Sequence, residues 1–390
     1  AEGERPYVAP RTEAQRWLAQ VWQEVLGVER VGLDDHFFEL GGDSLLSLKV
    51  ISRVRANKAL GLALKLRDLM RTPTIGELLP DAAAAPVAGA TPPAALRVLA
   101  QGPAGAAPAP LCCVHAALGT LFDYDEIARR LGAGRAVYGL QSRMLLDPDW
   151  RDASLEAMAR DYVRELRAAR PQGPYLLLGW SLGATLATLM ARELEAQGQQ
   201  VQWLVLVDPF VPQPNAGATA PAPRWRAALA DFARRMLPHA PPLPMPAGAD
   251  VNAEPEPEPD AAAVRALLAP LMAGAPARQQ TLGADELAQM FLAAHRLGTL
   301  AGALRALPPV RAPLAVWWRA GRAGAAARLA QWQGAPLREA VLDGVDHHAI
   351  VRDARLAEAL AALAPDRQAP GNATAGGAGN GMQTTTLLTE

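Results

Sequence analysis

The chain of 390 residues has only two cysteines, almost no net charge and few aromatic residues. Cys112 and Cys113 are adjacent, so they cannot form a disulfide framework, and we expect a reducing compartment such as the cytoplasm. The formal net charge of −1 gives no sign of nucleic-acid binding. One apolar run, Tyr175 to Ala191, nearly reaches the length of a membrane span. Because glycines interrupt it and its periodicity changes, we expect a strand and a buried helix there, and no membrane segment.

The first ten residues lack both a methionine and an apolar signal region, so we expect a piece of a longer polypeptide. Half of the chain is hydrophobic and 20% is charged. Such a chain is long enough for two or three domains with sizeable cores. The pattern predicts a helical domain over residues 1–80, a linker over 81–94, a second domain over 95–366 and a tail over 367–390.

Residues 1–80 carry apolar side chains at the three- and four-residue spacing of helices. The expected helices span residues 12–26, 44–56, 66–70 and 75–79. Four short helices form a small four-helix bundle, and the core of so small a domain is marginal.

The loop before the second helix reads DHFFELGGDSL. Its two phenylalanines and its leucine can anchor the loop in the core, and Gly41–Gly42 permit a sharp turn. Ser44 then lies at a helix start, where free backbone N–H groups and the helix dipole favour an anion. The residues alone also allow a simpler interpretation, in which Ser44 or Asp43 only caps the helix.

The string D-x-F-F-x-L-G-G-D-S-L resembles the attachment motif of peptidyl carrier domains in nonribosomal peptide synthetases, and the similarity extends over residues 6–80. The resemblance implies a 4'-phosphopantetheine arm, covalently bound to Ser44, that holds the growing peptide as a thioester. It also implies two kinds of partner. One is a phosphopantetheinyl transferase, and the other is the set of upstream condensation and adenylation domains in the same polypeptide.

Residues 81–94 read DAAAAPVAGATPPA, with almost no charge and no large apolar side chain. This composition predicts a flexible to semi-extended tether. The tail over 367–390 is rich in Gly, Asn, Ala and Thr, which predicts disorder.

Strand-like and helix-like segments alternate over residues 95–366, which predicts a mostly parallel sheet wrapped by helices. The expected strands are 96–100, 111–115, 136–140, 175–178, 201–207, 314–318 and 337–342. The expected helices are 121–131, 155–169, 182–196 and 353–363. Residues 211–309 interrupt the alternation and contain the helical runs 225–236, 261–272 and 284–300. An insertion of that length predicts a helical lid over the site.

Gly179–Trp180–Ser181–Leu182–Gly183 lies between an expected strand and an expected helix. In that setting the G-x-S-x-G pattern is typical of the nucleophile elbow of α/β-hydrolases, which predicts Ser181 as the nucleophile. Small residues beside a serine also occur in ordinary strand-to-helix turns, and this alternative stays open.

A serine nucleophile needs a base and an orienting acid. Among the six histidines, His115 comes too early for the usual chain order of serine, acid and histidine. His347 and His348 lie between the last strand and the last helix, where this fold places its base. We predict His347 as the base, with His348 as a wall residue or an alternative. The remaining histidines lie in the helical domain or the irregular insertion: His36, His239 and His295.

Asp208 ends an expected strand and precedes Pro209, which favours an extended backbone before it. We therefore predict Asp208 as the acid, although it could also serve only as a cap after the strand. Asp343 and Asp346 lie close to His347 in sequence, and such a near neighbour seldom points at the imidazole. The developing oxyanion needs two donors. We predict the backbone N–H groups of Leu182 and Ala117.

Five segments, PLCCVHAALG, VYGLQSR, GPYLLLGWSLG, LVLVDPF and GVDHHAIV, together resemble the terminal thioesterase domain of peptide synthetases over residues 96–365. The resemblance assigns Ser181, His347 and Asp208 as nucleophile, base and acid. There are two departures from the family: Ala116 stands where relatives have proline, and His348 stands where they have an aromatic residue. Both leave the loop geometry and the mode of release open.

The predicted function is terminal release of a peptidyl chain from the carrier arm through a seryl ester, by hydrolysis or macrocyclisation. The expected substrate is a peptidyl thioester. Two alternatives remain at this point. One is an esterase or lipase-like hydrolase fused to a carrier, and the other is a non-catalytic didomain that only holds acyl chains.

Overall fold

The computed structural model describes most of the two predicted domains. The described residues are 7–42, 44–57, 60, 62, 64, 68–69, 72–80, 94–103, 108–147, 149–211, 225–237, 240–243, 258–273, 282–304, 306–334 and 336–363. The expected linker, except for residue 94, and the expected tail lie outside these residues. The domain boundaries therefore stay predictions.

The N-terminal region folds as helices around one apolar core. The helices are α1 (Glu13–Leu26), α2 (Ser44–Ala56) and α3 (Ile75–Leu78). Residues 68–69 are also helical, and they belong to the expected element at 66–70. The side chain of Thr12 caps α1 by accepting a hydrogen bond from the Gln15 N–H at 3.1 Å. These positions follow the predicted helix pattern closely.

The loop before α2 is anchored as its sequence predicts. Phe37 is fully buried, and its ring packs edge-on against Trp22 with the centroids 4.8 Å apart. Phe38 packs edge-on against Phe37 at 5.3 Å, and Leu40 is partly buried against the same core. Because this loop is fixed to the core, its end is held at the first turn of α2, which begins at Ser44.

Residues 94–363 build a seven-stranded sheet with helices on both faces. The strands are β1 (Leu96–Ala100), β2 (Leu111–Val114), β3 (Val137–Leu140), β4 (Tyr175–Trp180), β5 (Val201–Val207), β6 (Leu314–Arg319) and β7 (Arg338–Leu342). Their order in the sheet is β1-β3-β2-β4-β5-β6-β7. Only the β1–β3 pair is antiparallel. This is the mostly parallel sheet of an α/β-hydrolase, as predicted.

The central strands are buried on both sides, which explains their unbroken apolar sequences. In β4, Leu177 belongs to one apolar cluster, whereas Leu176 and Leu178 belong to the cluster on the opposite face. The helices that flank the sheet are α4 (Asp125–Leu131), α5 (Leu155–Ala169), α6 (Leu182–Ala196), α10 (Ala323–Gln333) and α11 (Ala354–Ala361). We did not predict α10, in which the buried apolar residues among the described side chains are Ala325 and Leu329.

Two predicted helices differ in detail from the observed ones. The segment predicted at 121–131 is divided into a 3-10 turn, Phe122–Tyr124, and α4. Helix α11 is shorter than the predicted span of 353–363. It begins after Asp353, because the Asp353 carboxylate caps it by accepting a hydrogen bond from the Arg355 N–H at 2.9 Å.

In the described part of the insertion between β5 and β6, three helices lie near the predicted positions. They are α7 (Trp225–Met236), α8 (Ala261–Ala273) and α9 (Ala284–Ala303). Buried side chains of all three, such as Leu229, Val264 and Phe291, share one apolar cluster with a face of the sheet. The insertion is therefore packed on the domain as part of its core. Among the helices of the described residues, none is both long and apolar enough to cross a bilayer.

The turn between β4 and α6 depends on glycine because two backbones meet there. A Cβ atom on Gly183 would collide with the Val114 carbonyl oxygen and lie 2.7 Å from the His115 carbonyl oxygen. A Cβ on Gly179 would collide with the backbone of Gly183. The two glycines of G-x-S-x-G therefore allow α6 to start directly against the ends of β2 and β4.

A pair of glycine-to-alanine substitutions tests this close approach. Gly183→Ala should lower stability by about 1–3 kcal/mol, because the added methyl group must displace backbone. Gly298→Ala is the matched control, since Gly298 lies in α9 with no atom within 4 Å of an added Cβ. It should raise stability by up to about 1 kcal/mol through better helix propensity. Denaturant unfolding measures both, and equal effects would contradict the packing described here.

Candidate active site

Ser181 lies in the sharp turn between β4 and α6, with φ 56° and ψ −122°. A positive φ is unusual for a residue with a side chain and must be held by its surroundings. Two hydrogen bonds hold it. The Ser181 N–H donates to the Val207 carbonyl at 3.0 Å, and the Phe210 N–H donates to the Ser181 carbonyl at 3.0 Å. The turn therefore presents the hydroxyl beside the end of β5.

Asp208 follows β5 directly and is fully buried, as the strand-end argument predicts for an acid. Its φ of 37° is also positive, so the expectation of an extended backbone before Pro209 was wrong: backbone contacts on both sides hold a different conformation. The Asp208 N–H donates to the Trp317 carbonyl of β6 at 2.7 Å, and the Arg322 guanidinium donates to the Pro209 carbonyl at 3.0 Å. These bonds fix the backbone of the acid between two strands.

His347 lies in the loop after β7 and touches both other residues. Its Nε2 is 2.9 Å from the Ser181 Oγ, and its Nδ1 is 2.5 Å from the Asp208 Oδ2. The ionised carboxylate can only accept, so Nδ1 carries the hydrogen and donates to it. Nε2 is then free to accept the Ser181 proton. The three residues that the sequence pattern selected are therefore joined in one line of hydrogen bonds.

Trp180 holds the loop of His347 in place. The indole N–H of Trp180 donates to the His347 carbonyl oxygen at 2.8 Å, and the two rings lie 5.1 Å apart. The Trp180 backbone N–H donates in turn to the Tyr124 hydroxyl at 3.1 Å. Trp180 occupies a variable position of the G-x-S-x-G pattern, so the sequence did not predict its contact with His347. Its place directly before the serine was the signal that could have identified it.

Two arginines from the end of β6 surround the carboxylate of Asp208. Arg319 Nε lies 3.1 Å from one carboxylate oxygen and Arg322 Nε lies 3.1 Å from the other. Burial alone raises the pKa of Asp208, but the hydrogen bond from His347 and the charges of His347, Arg322 and Arg319 outweigh burial and lower it below the ordinary value of 3.8. The carboxylate is therefore ionised at neutral pH. The stretch WRAGRAG after β6 carried the sequence signal for this pair, which the sequence analysis did not predict.

His348 and the nearby carboxylate of Asp346 lie outside the line of hydrogen bonds that joins Ser181, His347 and Asp208. His348 is exposed, and its Nε2 accepts from Arg235 of α7 at 3.4 Å. Burial, and then the charges of His347 and Arg235, lower the pKa of His348. Asp346 accepts from the N–H groups of His348 and Ala349 at 2.8 Å each. The contact with Arg235 places His348 at the junction of the catalytic loop and the insertion.

Leu182 and Ala117, the two predicted oxyanion donors, lie on the two segments that meet at Gly183. Leu182 is the first residue of α6, where backbone N–H groups have no partner within the helix. Ala117 lies in the loop after β2, and a turn closes over it because the Gly119 N–H donates to the Ala116 carbonyl at 3.0 Å. Gly183 approaches the carbonyls of Val114 and His115 at the start of that loop. The loop and the first turn of α6 are thus neighbours.

Ser44 is the first residue of α2, following the anchored loop. This is the predicted position, at the N-terminus of a helix where an anion is favoured. The geometry of its side chain and that of Asp43 lie outside the described residues.

Comparison with known proteins identifies a family for each part of the chain. Residues 16–79 match the family described as "Phosphopantetheine attachment site", and residues 109–245 match the "Thioesterase domain". Malpinin synthetase of Mortierella alpina is 43% identical over 203 residues, 52% of this chain. A dimodular nonribosomal peptide synthase of Bacillus subtilis is 38% identical over 201 residues, also 52%. This chain spans only 2% and 8% of those two relatives.

One solved structure is similar to nearly the whole of this chain. The crystal structure of a four-domain nonribosomal peptide synthetase in its holo form, bound to AMP and glycine, is 26% identical with a TM-score of 0.56. It covers 94% of this chain, which corresponds to 27% of the larger protein.

Replacing Asp208 with Asn tests the electrostatics of the site. Because the folded pKa of Asp208 is lowered, its ionisation stabilises the fold at pH values above 3.8, and that contribution is lost as the pH falls through the lowered value. The stability of the wild type should therefore approach that of Asp208→Asn on acidification. At neutral pH the variant should lose on the order of 10⁴ in kcat, because Asn favours the wrong imidazole tautomer.

Thermal unfolding between pH 7 and pH 3, together with ester hydrolysis at pH 7, measures both effects. A stability difference that does not change with pH would show that Asp208 is not ionised in the folded protein.

Proposed function

We propose that this chain, which matches a phosphopantetheine attachment site over residues 16–79 and a thioesterase domain over residues 109–245, releases a finished peptidyl chain from its carrier through an ester on Ser181. The observation that carries the proposal is the continuous contact from the Ser181 Oγ through His347 to Asp208. That contact is what acyl transfer to a serine requires.

In the first half-reaction the Ser181 Oγ attacks the carbonyl carbon of a thioester substrate, and His347 Nε2 takes the hydroxyl proton. Asp208 holds the Nδ1–H and stabilises the imidazolium. The N–H groups of Leu182 and Ala117 donate hydrogen bonds to the negative oxygen of the tetrahedral intermediate. When that intermediate collapses, the carbon–sulfur bond breaks and His347 returns the proton to the sulfur. An acyl group is left on Ser181.

In the second half-reaction a new nucleophile attacks the acyl ester, and its proton passes to His347 Nε2. The carbon–oxygen bond to Ser181 then breaks and His347 returns the proton to the serine. Water as the nucleophile gives a free acid, whereas an amine or hydroxyl of the same chain gives a ring. Both outcomes use the same three side chains, so they differ only in what the acyl pocket admits.

The carrier domain fits a covalently held phosphopantetheine arm. The positive end of a helix dipole favours the negative charge of a phosphodiester, and the loop before Ser44 is fixed by buried Phe37. We assign Ser44 as the attachment residue. When attached, the arm supplies a terminal thiol that carries the acyl group as a thioester. A phosphopantetheinyl transferase would attach it, and upstream condensation and adenylation domains would supply the chain.

The insertion is proposed to act as a lid. Arg235 of α7 contacts His348, the residue after the proposed base, at 3.4 Å. Ala117 and Leu118, in the loop after β2, pack against the large apolar cluster to which Leu229 and Phe291 of the insertion also belong. The contact of Arg235, with this shared cluster, supports a lid that excludes bulk water from the acyl ester and shapes the acyl pocket.

We propose that the reaction takes place in the cytoplasm, with no nucleic acid or membrane as a partner. Both cysteines are buried free thiols, and burial raises the pKa of Cys112 to about 12. Such thiols are uncharged and unreactive at neutral pH, which suits a reducing compartment.

Intact mass spectrometry of the loaded protein tests the proposal. A phosphopantetheinyl transferase and an acyl-coenzyme A would load the carrier of the wild type and of three variants. The wild type should lose the acyl mass. Ser181→Ala and His347→Ala should retain it, because either change slows release by on the order of 10⁶. His348→Ala is the matched control, since this neighbouring imidazole does not contact Ser181, and it should still release.

A fourth variant, Ser44→Ala, should accept no load. The product mass separates the modes of release: a gain of water indicates hydrolysis, and loss of the thiol alone indicates a ring. Release that continues in Ser181→Ala would refute the proposal. Fast turnover of simple esters without release from the carrier would instead favour an esterase, and a wild type that keeps its load would favour an acyl-holding didomain.

A further inference from the structure

His115 is a fully buried imidazole that the proposed mechanism does not use. It follows β2, at the start of the loop that carries Ala117. Its Nδ1 lies 2.8 Å from the Ala116 carbonyl oxygen and its Nε2 lies 2.7 Å from the Tyr162 hydroxyl. Burial lowers the pKa of His115 to about 4, so the ring is neutral at physiological pH.

The partners fix which nitrogen carries the hydrogen. A carbonyl oxygen can only accept, so Nδ1 of His115 donates to the Ala116 carbonyl. Nε2 is then the bare nitrogen. The Tyr162 hydroxyl, which extends from α5, has one hydrogen and two possible acceptors, and Nε2 at 2.7 Å is nearer than the Gln141 carbonyl at 3.3 Å, so Nε2 accepts it. The Tyr162 ring is itself buried. The core thus selects one tautomer and one ring orientation.

The Ala116 carbonyl belongs to the same peptide group as the Ala117 N–H. A trans peptide is planar, and its C=O and N–H point in opposite directions. Two donors hold the carbonyl from one side: the imidazole of His115 at 2.8 Å and the Gly119 N–H at 3.0 Å. The direction of the Ala117 N–H is therefore set by groups that never touch a substrate. Bonds to the carbonyl also polarise the peptide and strengthen its N–H as a donor.

The same loop is fixed relative to the nucleophile. The His115 and Val114 carbonyls lie against Gly183 in the first turn of α6, two residues after Ser181. Because the loop is anchored at the His115 carbonyl, only the peptide groups after it can change orientation. The Ala116–Ala117 peptide group is the first of these.

We propose that His115 is a positioning residue for the oxyanion hole, which turns the Ala117 N–H toward the oxygen that becomes negative above Ser181. This inference rests on the proposed acyl transfer at Ser181, and it adds Tyr162 as the residue that holds the imidazole. The competing view is that the pair only satisfies two polar groups in the core. That view predicts loss of stability on substitution, without a specific effect on the transition state.

Two variants of nearly equal shape separate these views. His115→Asn keeps an amide N–H close to the position of Nδ1, and His115→Leu removes it. Hydrolysis of p-nitrophenyl butyrate by the whole chain measures acyl transfer without knowledge of the natural peptide. Full loss of one oxyanion donor costs about 10²–10³ in rate, so a misdirected donor in His115→Leu should lower kcat by about 10–100-fold. KM should stay within a factor of about two, because the ground state makes little use of the donor.

A boronic acid provides the readout that a purely structural role would not change. Phenylboronic acid adds to a catalytic serine as a tetrahedral adduct, so its affinity should fall in parallel with kcat/KM across the variants. His115→Asn should recover most of the loss. Tyr162→Phe keeps the contact between His115 and Ala116 but removes the hydroxyl that selects one tautomer of His115. Its loss of kcat/KM should therefore be intermediate.

The outcomes decide the inference even where one variant folds poorly. Wild-type kcat in His115→Leu would overturn it, and so would equal losses in His115→Asn and His115→Leu with unchanged boronic acid affinity. If His115→Leu does not fold, full kcat and full boronic acid affinity in both His115→Asn and Tyr162→Phe would overturn it as well. Failure of the proposed function looks different, because the wild type would then not release its carrier-bound acyl group, whatever its ester hydrolysis.

Discussion

The contact between the first turn of α6 and the ends of β2 and β4 is the constraint on which the site depends. Backbone meets backbone there, since an added Cβ on Gly179 or Gly183 has no room. The turn that results holds Ser181 at a positive φ and brings the Leu182 N–H beside the loop after β2. This one close approach therefore positions Ser181, the proposed nucleophile, and both proposed oxyanion donors.

The acid and the base reach this turn from two other strand ends, and each is held by groups outside the line of proton transfer. The hydrogen bond and charge of His347, together with the positive charges of Arg322 and Arg319 on both sides of Asp208, outweigh burial and keep this carboxylate ionised. Trp180, the residue before the nucleophile, holds the backbone of His347. Removing any of these supports would leave the three catalytic side chains present but poorly aligned, which lowers rate more than it lowers affinity.

Sequence patterns predicted the strands and most helices because their apolar residues follow the periods of secondary structure and are buried where expected. The G-x-S-x-G pattern selected Ser181, and chain order and strand ends then selected Asp208 and His347. The supports were missed for a different reason: Trp180 and the arginines after β6 act through partners distant in sequence, and the imidazole of His115 is held by Tyr162, 47 residues away. Helix α10 was missed because its alanine-rich sequence has little periodicity. Ser44, the proposed attachment residue, was selected by its motif, whereas its side-chain geometry lies outside the described residues.

The most direct test of the central claim is covalent labelling with an organofluorophosphonate, which reacts only with a serine that has a positioned base and oxyanion hole. We predict one adduct per chain, located at Ser181 by peptide mass spectrometry. The labelling rate of His347→Ala should fall by at least about 10³, since the serine then lacks its base. An adduct on a different residue, or an unchanged rate in His347→Ala, would contradict the assignment of Ser181, His347 and Asp208 as one catalytic unit.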